Sequence, residues 1–430
     1  MRTTPALLAA LGLAACSGTP APPPGGAPRV FALTVTAHPL LSAPLAEPEA
    51  DRILADASRA LAEPDGDGDR PCPIDLRRAG PVAPLPLALP AFLRSAQDFA
   101  RLSESQPGEQ GRAVRVVQAI SWCGGEADGI IGCASIPGDV LVVRRFATSL
   151  EGQLWAHEFG HNRGLDHANE PRRIMFGQIL PDARQTSGAD CAAFLAPSPA
   201  LAVATAPRFP AALEMPADAL PNEPFAFVRR IYPHGFPLSA ARRFTPEQAA
   251  SVWPLLRDPG ADFAWSNIVL LAGAAGGPGT AQRLIAFLND PDWNPANPAA
   301  SDARAQVPVA LGTLSHRLDD RAALDFLLAQ SRPGAWAAFA ARARAPEAQI
   351  ALERQMATQT LIGLSLSARP AAIARLEAMQ ATLRRTDRSA LQSLGAARDP
   401  DTLARDSDML LQALERARSV RQGGLEAVRP

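Results

Sequence analysis

The amino-acid sequence predicts an α/β domain followed by an all-α region of repeated helices, and three observations carry that reading. Between residues 29 and 197, short runs rich in valine and isoleucine alternate with amphipathic stretches, the pattern of strands and helices that share one core. From residue 246 to 430 the apolar residues recur at helical spacing, with short breakers between segments. Residues 198–245, between the two, are rich in proline and carry little periodicity, as a linker or an irregular wrapping segment would. A chain of 430 residues also exceeds what one hydrophobic core usually organises, so several domains are expected.

The chain opens with Met1-Arg2 and an apolar run over residues 6–15, too short to span a bilayer as a helix and typical of an export signal. That run ends in Leu13-Ala14-Ala15-Cys16, which resembles the bacterial lipobox. The resemblance implies a signal peptide over residues 1–15 and a membrane anchor through a lipid on Cys16. The alternative is a plain signal peptide with an incidental cysteine. Ser17, where an aspartate would retain a lipoprotein at the inner membrane, implies sorting to the outer membrane, facing the periplasm or the cell surface. Residues 16–28 continue as a Pro/Gly-rich tether.

Within the α/β domain, residues 31–37 alternate as a strand, and residues 48–62 place Ala50, Ile53, Leu54, Ala57 and Leu61 on one helical face. Residues 74–82, 113–120 and 140–143 read as further strands, and residues 91–102 as a helix that interrupts them. Setting Cys16 aside leaves Cys72, Cys123, Cys133 and Cys191, an even number in an exported chain, which favours two disulfides. Three pairings are possible. Cys123 and Cys133 flank a Gly-rich turn and are the favoured pair, leaving Cys72 with Cys191; a second metal site is the rival use of these thiols.

In the helical region, Leu284 and Leu288 reappear as Leu324 and Leu328, a spacing of 40 residues. That period resembles HEAT-type repeats, whose helical pairs stack to share a core and offer a surface for a protein partner. An irregular bundle is the alternative, because residues 346–364 and 371–383 keep the period poorly.

The chemistry concentrates in Trp155-Ala156-His157-Glu158-Phe159-Gly160-His161-Asn162-Arg163-Gly164-Leu165-Asp166-His167, which holds three of the six histidines in the chain. Thr148 and Glu151 have capping-box spacing and predict a helix start just upstream, with Leu150 and Leu154 facing inward. At about 100° per residue, His157 and His161 fall roughly 40° apart on one face, so two imidazoles can grip one ion while Glu158 reaches water on it. Gly164 tolerates the left-handed conformation that ends a helix, which lets His167 wrap back as a third ligand. Three nitrogen ligands with an open fourth position are the catalytic arrangement of zinc.

This segment matches the metzincin pattern His-Glu-x-x-His-x-x-Gly-x-x-His at every specified position, and Met175 follows in Arg173-Ile174-Met175-Phe176. The spacing to Met175 is similar to that of the matrixin branch, and Gly132-Cys133-Ala134-Ser135-Ile136-Pro137-Gly138 resembles the matrixin edge strand and its exit. The resemblance covers about residues 29–196. It implies a twisted, mostly parallel sheet with an antiparallel edge strand, one catalytic zinc on His157, His161 and His167, Glu158 as general base, and a methionine turn at Met175 beneath the metal. It further implies a peptide or protein substrate bound along an exposed edge over residues 130–136, through Gly132 and Ala134, and an apolar pocket wall over residues 176–180. There are departures. Cys133 stands where matrixins carry a histidine for a structural zinc, no cysteine-switch propeptide precedes the domain, and the one tyrosine, Tyr232, lies far outside the motif.

The reading is therefore a zinc endopeptidase of the bacterial envelope. Two others compete: a binding scaffold with a degenerate peptidase domain, and a zinc amidase acting on cell-wall peptides. Nucleic acid is set aside, because a formal net charge of −1 offers no surplus of cation for phosphates. The 42 basic residues are all arginine, which we read as base-composition bias of the genome.

Overall fold

The computed structural model describes residues 27–41, 43–64, 71–104, 112–146, 149–180, 185–196, 207–210, 220–233, 235–385 and 400–425. The export signal, Cys16 and Thr148 lie outside the described residues. The N-terminal part is a mixed, mostly parallel α/β domain. In chain order it comprises β1 (Arg29–Ala37), α1 (Glu47–Ala62), β2 (Ile74–Arg78), β3 (Ala83–Pro84), β4 (Phe92–Leu93), α2 (Ala96–Glu104), β5 (Ala113–Val117), β6 (Ala119–Trp122), β7 (Glu126–Ile130), β8 (Gly132–Ala134), β9 (Val140–Arg144), α3 (Glu151–Asn162) and α4 (Gly188–Leu195).

The main sheet runs β2-β1-β5-β9-β8, with β3 also pairing β1. All pairs are parallel except β8 with β9, which makes β8 an antiparallel edge. β5 and β9 are buried at every position, as parallel strands covered on both faces must be. On one face, α1 and α3 pack together under Phe31, Leu33, Val35 and Leu141. The expected strand over 74–82 stops at Arg78, where Gly80-Pro81 turns the chain into β3. The helix expected from residue 91 begins only at Ala96, because residues 92–93 pair with β6 and Ser95 caps the helix through the Asp98 amide at 3.2 Å.

Two disulfides staple the domain. Cys72–Cys191 joins the approach to β2 with α4, and Cys123–Cys133 joins the end of β6 to the edge strand. Both suggest an extracytoplasmic, oxidising compartment. Among the described residues, no helix is long and apolar enough to cross a membrane.

The C-terminal part is largely helical. Consecutive helices pair as Trp265–Ala275 with Thr280–Asn289, Val307–Leu318 with Arg321–Gln330, and Pro346–Ser367 with Pro370–Arg385. First members pack on first members and second on second, and Pro400–Gly423 closes the stack against the last pair. Close packing here depends on Gly312 and Gly363, where an added Cβ on Gly312 would lie 2.7 Å from the Gly363 Cα. The region docks on the C-terminal ends of β5 and β9 through buried polar contacts. Arg144 forms a two-pronged ion pair with Asp302 while its Nε donates to Ile130 O at 2.8 Å, and Gln118 donates to Gln355 at 2.6 Å.

Candidate metal centre

Every residue of α3 is buried, so the helix that carries the motif runs through the middle of the domain. Its start differs from the expected capping box. Leu150 is the N-cap and offers no side-chain bond, while the Glu151 carboxylate turns back to accept from Arg145 at 2.8 Å and from the Phe146 amide at 3.1 Å. Burial pushes the Glu151 carboxyl up, against the pull of Arg145.

The end of α3 is a Schellman turn. The Gly164 amide donates to His161 O at 2.9 Å and the Leu165 amide to Gly160 O at 3.1 Å, with Gly164 at φ +89°. This reversal returns His167 to the ion-binding face and brings Leu165 O to within 2.8 Å of His161 Nδ1. His157 Nδ1 lies 2.8 Å from Ile174 O, in the turn that contains Met175. A carbonyl oxygen can only accept, so both Nδ1 atoms carry the hydrogen and both Nε2 atoms present lone pairs.

Those two Nε2 atoms face each other at 3.1 Å, and the ligand atoms of His157, His161 and His167 all lie within 4.8 Å of one another. Two acceptors pointed at one another repel unless a cation or a proton sits between them. Burial first, then the neighbouring His167, lowers the His157 pKa to about 3, so this ring is neutral at physiological pH. The group could therefore hold a metal ion: three nitrogen donors, with His157 and His161 buried, His167 half-buried, and two of the rings oriented by backbone carbonyls.

Glu158 is fully buried, and neither carboxylate oxygen has a hydrogen-bond partner among the described residues. Its carboxyl is raised well above its ordinary value by desolvation. A Cβ on Gly132 would lie 2.8 Å from the Glu158 carboxylate carbon, so the edge strand passes directly over this group. Met175 is buried against α3, where a Cβ on Gly160 would lie 2.8 Å from the Met175 methyl. Gly160 occupies an unspecified position of the motif, and its role becomes visible only once Met175 is placed. Asn162 was equally silent in the sequence. Its amide holds Val140 O at 3.1 Å and Ser135 O at 3.3 Å, which fixes the loop after β8 to the end of α3.

The edge strand departs from expectation. β8 is the sheet's edge, and since Ile131 O accepts from Arg144, alternation turns Gly132 and Ala134 away from β9. Yet residues 130–136 are all buried rather than exposed. The Ile131 amide donates to Pro233 O at 2.9 Å and the Ile136 amide to Arg208 O at 2.7 Å. The wall segment is engaged as well, because Ile179 and Ile231 exchange both backbone bonds, at 2.8 and 2.9 Å. Tyr232 belongs to the core of the helical region, and its hydroxyl is committed to Phe227 O at 3.0 Å. No sequence signal marked residues 207–210 or 231–233 as neighbours of β8. No protein-family model matches the chain, and no curated protein matches it in sequence, so the function is argued from this geometry.

Proposed function

We propose that the chain is a zinc-dependent peptidase, similar to metzincins of the matrixin kind and anchored to the bacterial envelope through Cys16. The observation that carries this is the convergence of three imidazoles on one point beside a buried, unpartnered carboxylate on the same helix. His157, His161 and His167 would hold the ion, and a set of three neutral nitrogens suits zinc's borderline softness. Zinc bound there lowers the pKa of a water molecule and polarises a substrate carbonyl.

The remaining work falls to side chains and backbone. Glu158 takes a proton from the attacking water and delivers it to the leaving amine nitrogen. The carbonyls of Ile174 and Leu165 keep the first two rings in the tautomer that presents Nε2. The outward backbone groups of Gly132 and Ala134 would take an extended peptide as an added strand, and residues 176–180 would form an apolar wall for the residue after the cut. The stacked helical pairs support the HEAT-like reading of residues 246–430, with a protein partner as its use.

The test is a peptide library incubated with the zinc-loaded, mature protein, with and without chelator, and with Glu158→Ala as the blank. The expected result is cleavage that both chelator and substitution remove. Cleavage that survives either one would overturn the reading, as would a zinc content far from one ion per chain.

A further inference from the structure

Resting on the peptidase reading above, we propose that the protein folds with its cleft shut, residues 207–210 acting as a releasable clasp and residues 231–233 as a fixed stop. A site that binds its substrate by strand addition must show backbone N–H and C=O groups to solvent. Here residues 130–136 are buried throughout, the Ile136 amide at the end of the edge segment donates to Arg208 O, and the Ile131 amide, on the residue whose carbonyl faces β9, donates to Pro233 O. The three histidines are in place, His157, His161 and Glu158 have no exposure, and His167 is half-buried.

The two limbs are held differently, and that difference assigns their roles. Residues 231–233 belong to the core. Ile231 is 4% exposed and exchanges backbone bonds with Ile179, and Asn267 from the helical region holds Val228 O at 3.0 Å and Arg230 O at 2.5 Å. This limb joins the wall segment to the start of the edge strand, so it bounds the cleft at that end. Residues 207–209 are held nearer the surface, with Pro207 and Arg208 exposed and Phe209 half-buried, while Pro210 is buried. Arg208 O takes the Ile136 amide, the Arg208 guanidinium meets Asp166 at 2.5 Å with both side chains more than half exposed, and Phe209 packs edge-on against Phe99 and Trp122 at 4.9 Å. Asp166 directly precedes the third histidine, and Ile136 ends the edge segment. The clasp therefore crosses the mouth of the site from one rim to the other. Among the described residues, the clasp is held by one backbone bond, one exposed ion pair and one ring, contacts that can release without unfolding the domain.

The experiment compares wild type, Arg208→Ala and Phe209→Ser as full, zinc-loaded chains. It reads backbone hydrogen exchange over residues 132–136, zinc content, and hydrolysis of a peptide library. Loss of the ring contacts should speed exchange on the order of tenfold, with a smaller effect for Arg208→Ala. Hydrolysis should rise in the same order while zinc content stays unchanged. Wild-type exchange as fast as in both variants, or measurable wild-type hydrolysis at a rate equal to theirs, would overturn the clasp. Faster exchange without hydrolysis in any of the three would leave the clasp standing and remove the peptidase reading, so the two failures are distinguishable. Arg208→Ala, an exposed substitution, keeps the test valid should Phe209→Ser fold poorly.

Discussion

Glu158→Gln separates chemistry from architecture more cleanly than any other change in the site. The amide keeps the volume of the side chain, which matters because Gly132 passes so close that even a Cβ there would lie 2.8 Å from the carboxylate carbon. What the amide cannot do is accept a proton from water and return it. General acid–base assistance is worth about 10²–10⁴-fold, or roughly 2.7–5.5 kcal/mol of barrier, and one group serving two proton transfers places the loss at the upper end. Stability should move the opposite way. Fully buried with no hydrogen-bond partner among the described residues, the carboxyl must either stay charged without a partner or take up a proton on folding, and a neutral amide in the same place does neither. A gain of about 1 kcal/mol in the metal-free protein corresponds to a rise in Tm of roughly 2–4 °C for a domain of this size. The assays are peptide turnover, best run also in the Phe209→Ser background where access does not limit the rate, and a thermal melt in chelator. Chelator-sensitive turnover at the wild-type rate would refute the assignment of Glu158. A metal-free Tm several degrees below wild type would refute the claim that its carboxylate is unpartnered.

His161→Ala should behave differently from Glu158→Gln, losing both activity and metal; elemental analysis near one zinc per chain for wild type and near zero for the variant is the expected pair of results. Gly160→Ala would drive a methyl group into Met175 and should cost about 1–3 kcal/mol as an overpacked core does, read as a lowered midpoint in urea. Asp302→Ala strands Arg144 in the interface between sheet and helices, where both side chains are only 5% exposed, and should cost about 3–5 kcal/mol, whereas replacing both residues with apolar ones of similar volume should be far milder. Cys16→Ser should abolish acylation seen by mass spectrometry, and an unacylated wild type would replace the anchor with simple secretion.

The elements that the sequence makes legible are those whose reasons are local. The amphipathic face of α1, the β-branched runs of β5 and β9, and the histidine spacing on α3 each depend on residues within one or two turns of each other. Gly164 belongs with them, because a left-handed helix end is a property of one residue and its neighbours. The pairing of Cys123 with Cys133 was favoured for a similar reason, the short Gly-rich turn between them, and the remaining pair followed. Where expectation and structure part, a partner that no motif marks decides. The spacing of Glu151 to Thr148 predicts a capping residue, but buried Arg145 is a stronger partner for its carboxylate than a backbone amide.

The covered edge of β8 is the largest departure, and its cause lies in residues that carry no motif. A sheet edge left open is a template for any passing strand, and a protein that binds peptides by strand addition cannot blunt that edge permanently with charge or proline without losing its substrate. Covering it with the chain's own backbone meets both demands only if part of the cover can leave. The structure divides the cover accordingly. Ile231 is packed into the core and tied from behind by Asn267, while Arg208 and Phe209 hold from the surface. Neither contact can be read from composition or period, since each joins residues at least 37 positions apart, and the proline-rich stretch that supplies them reads locally as a linker. The same stretch connects the sheet domain to the helices, and Asn267 fastens the fixed limb to the first of those helices. On the proposed reading the helical region bears on access to the histidine cluster through the limb it anchors, and Asn267→Ala, which touches neither the histidines nor Glu158, should raise hydrogen exchange at Ile131 and Ile231 while leaving zinc content unchanged. Unchanged exchange at those two amides would show that the limb stands without the helices.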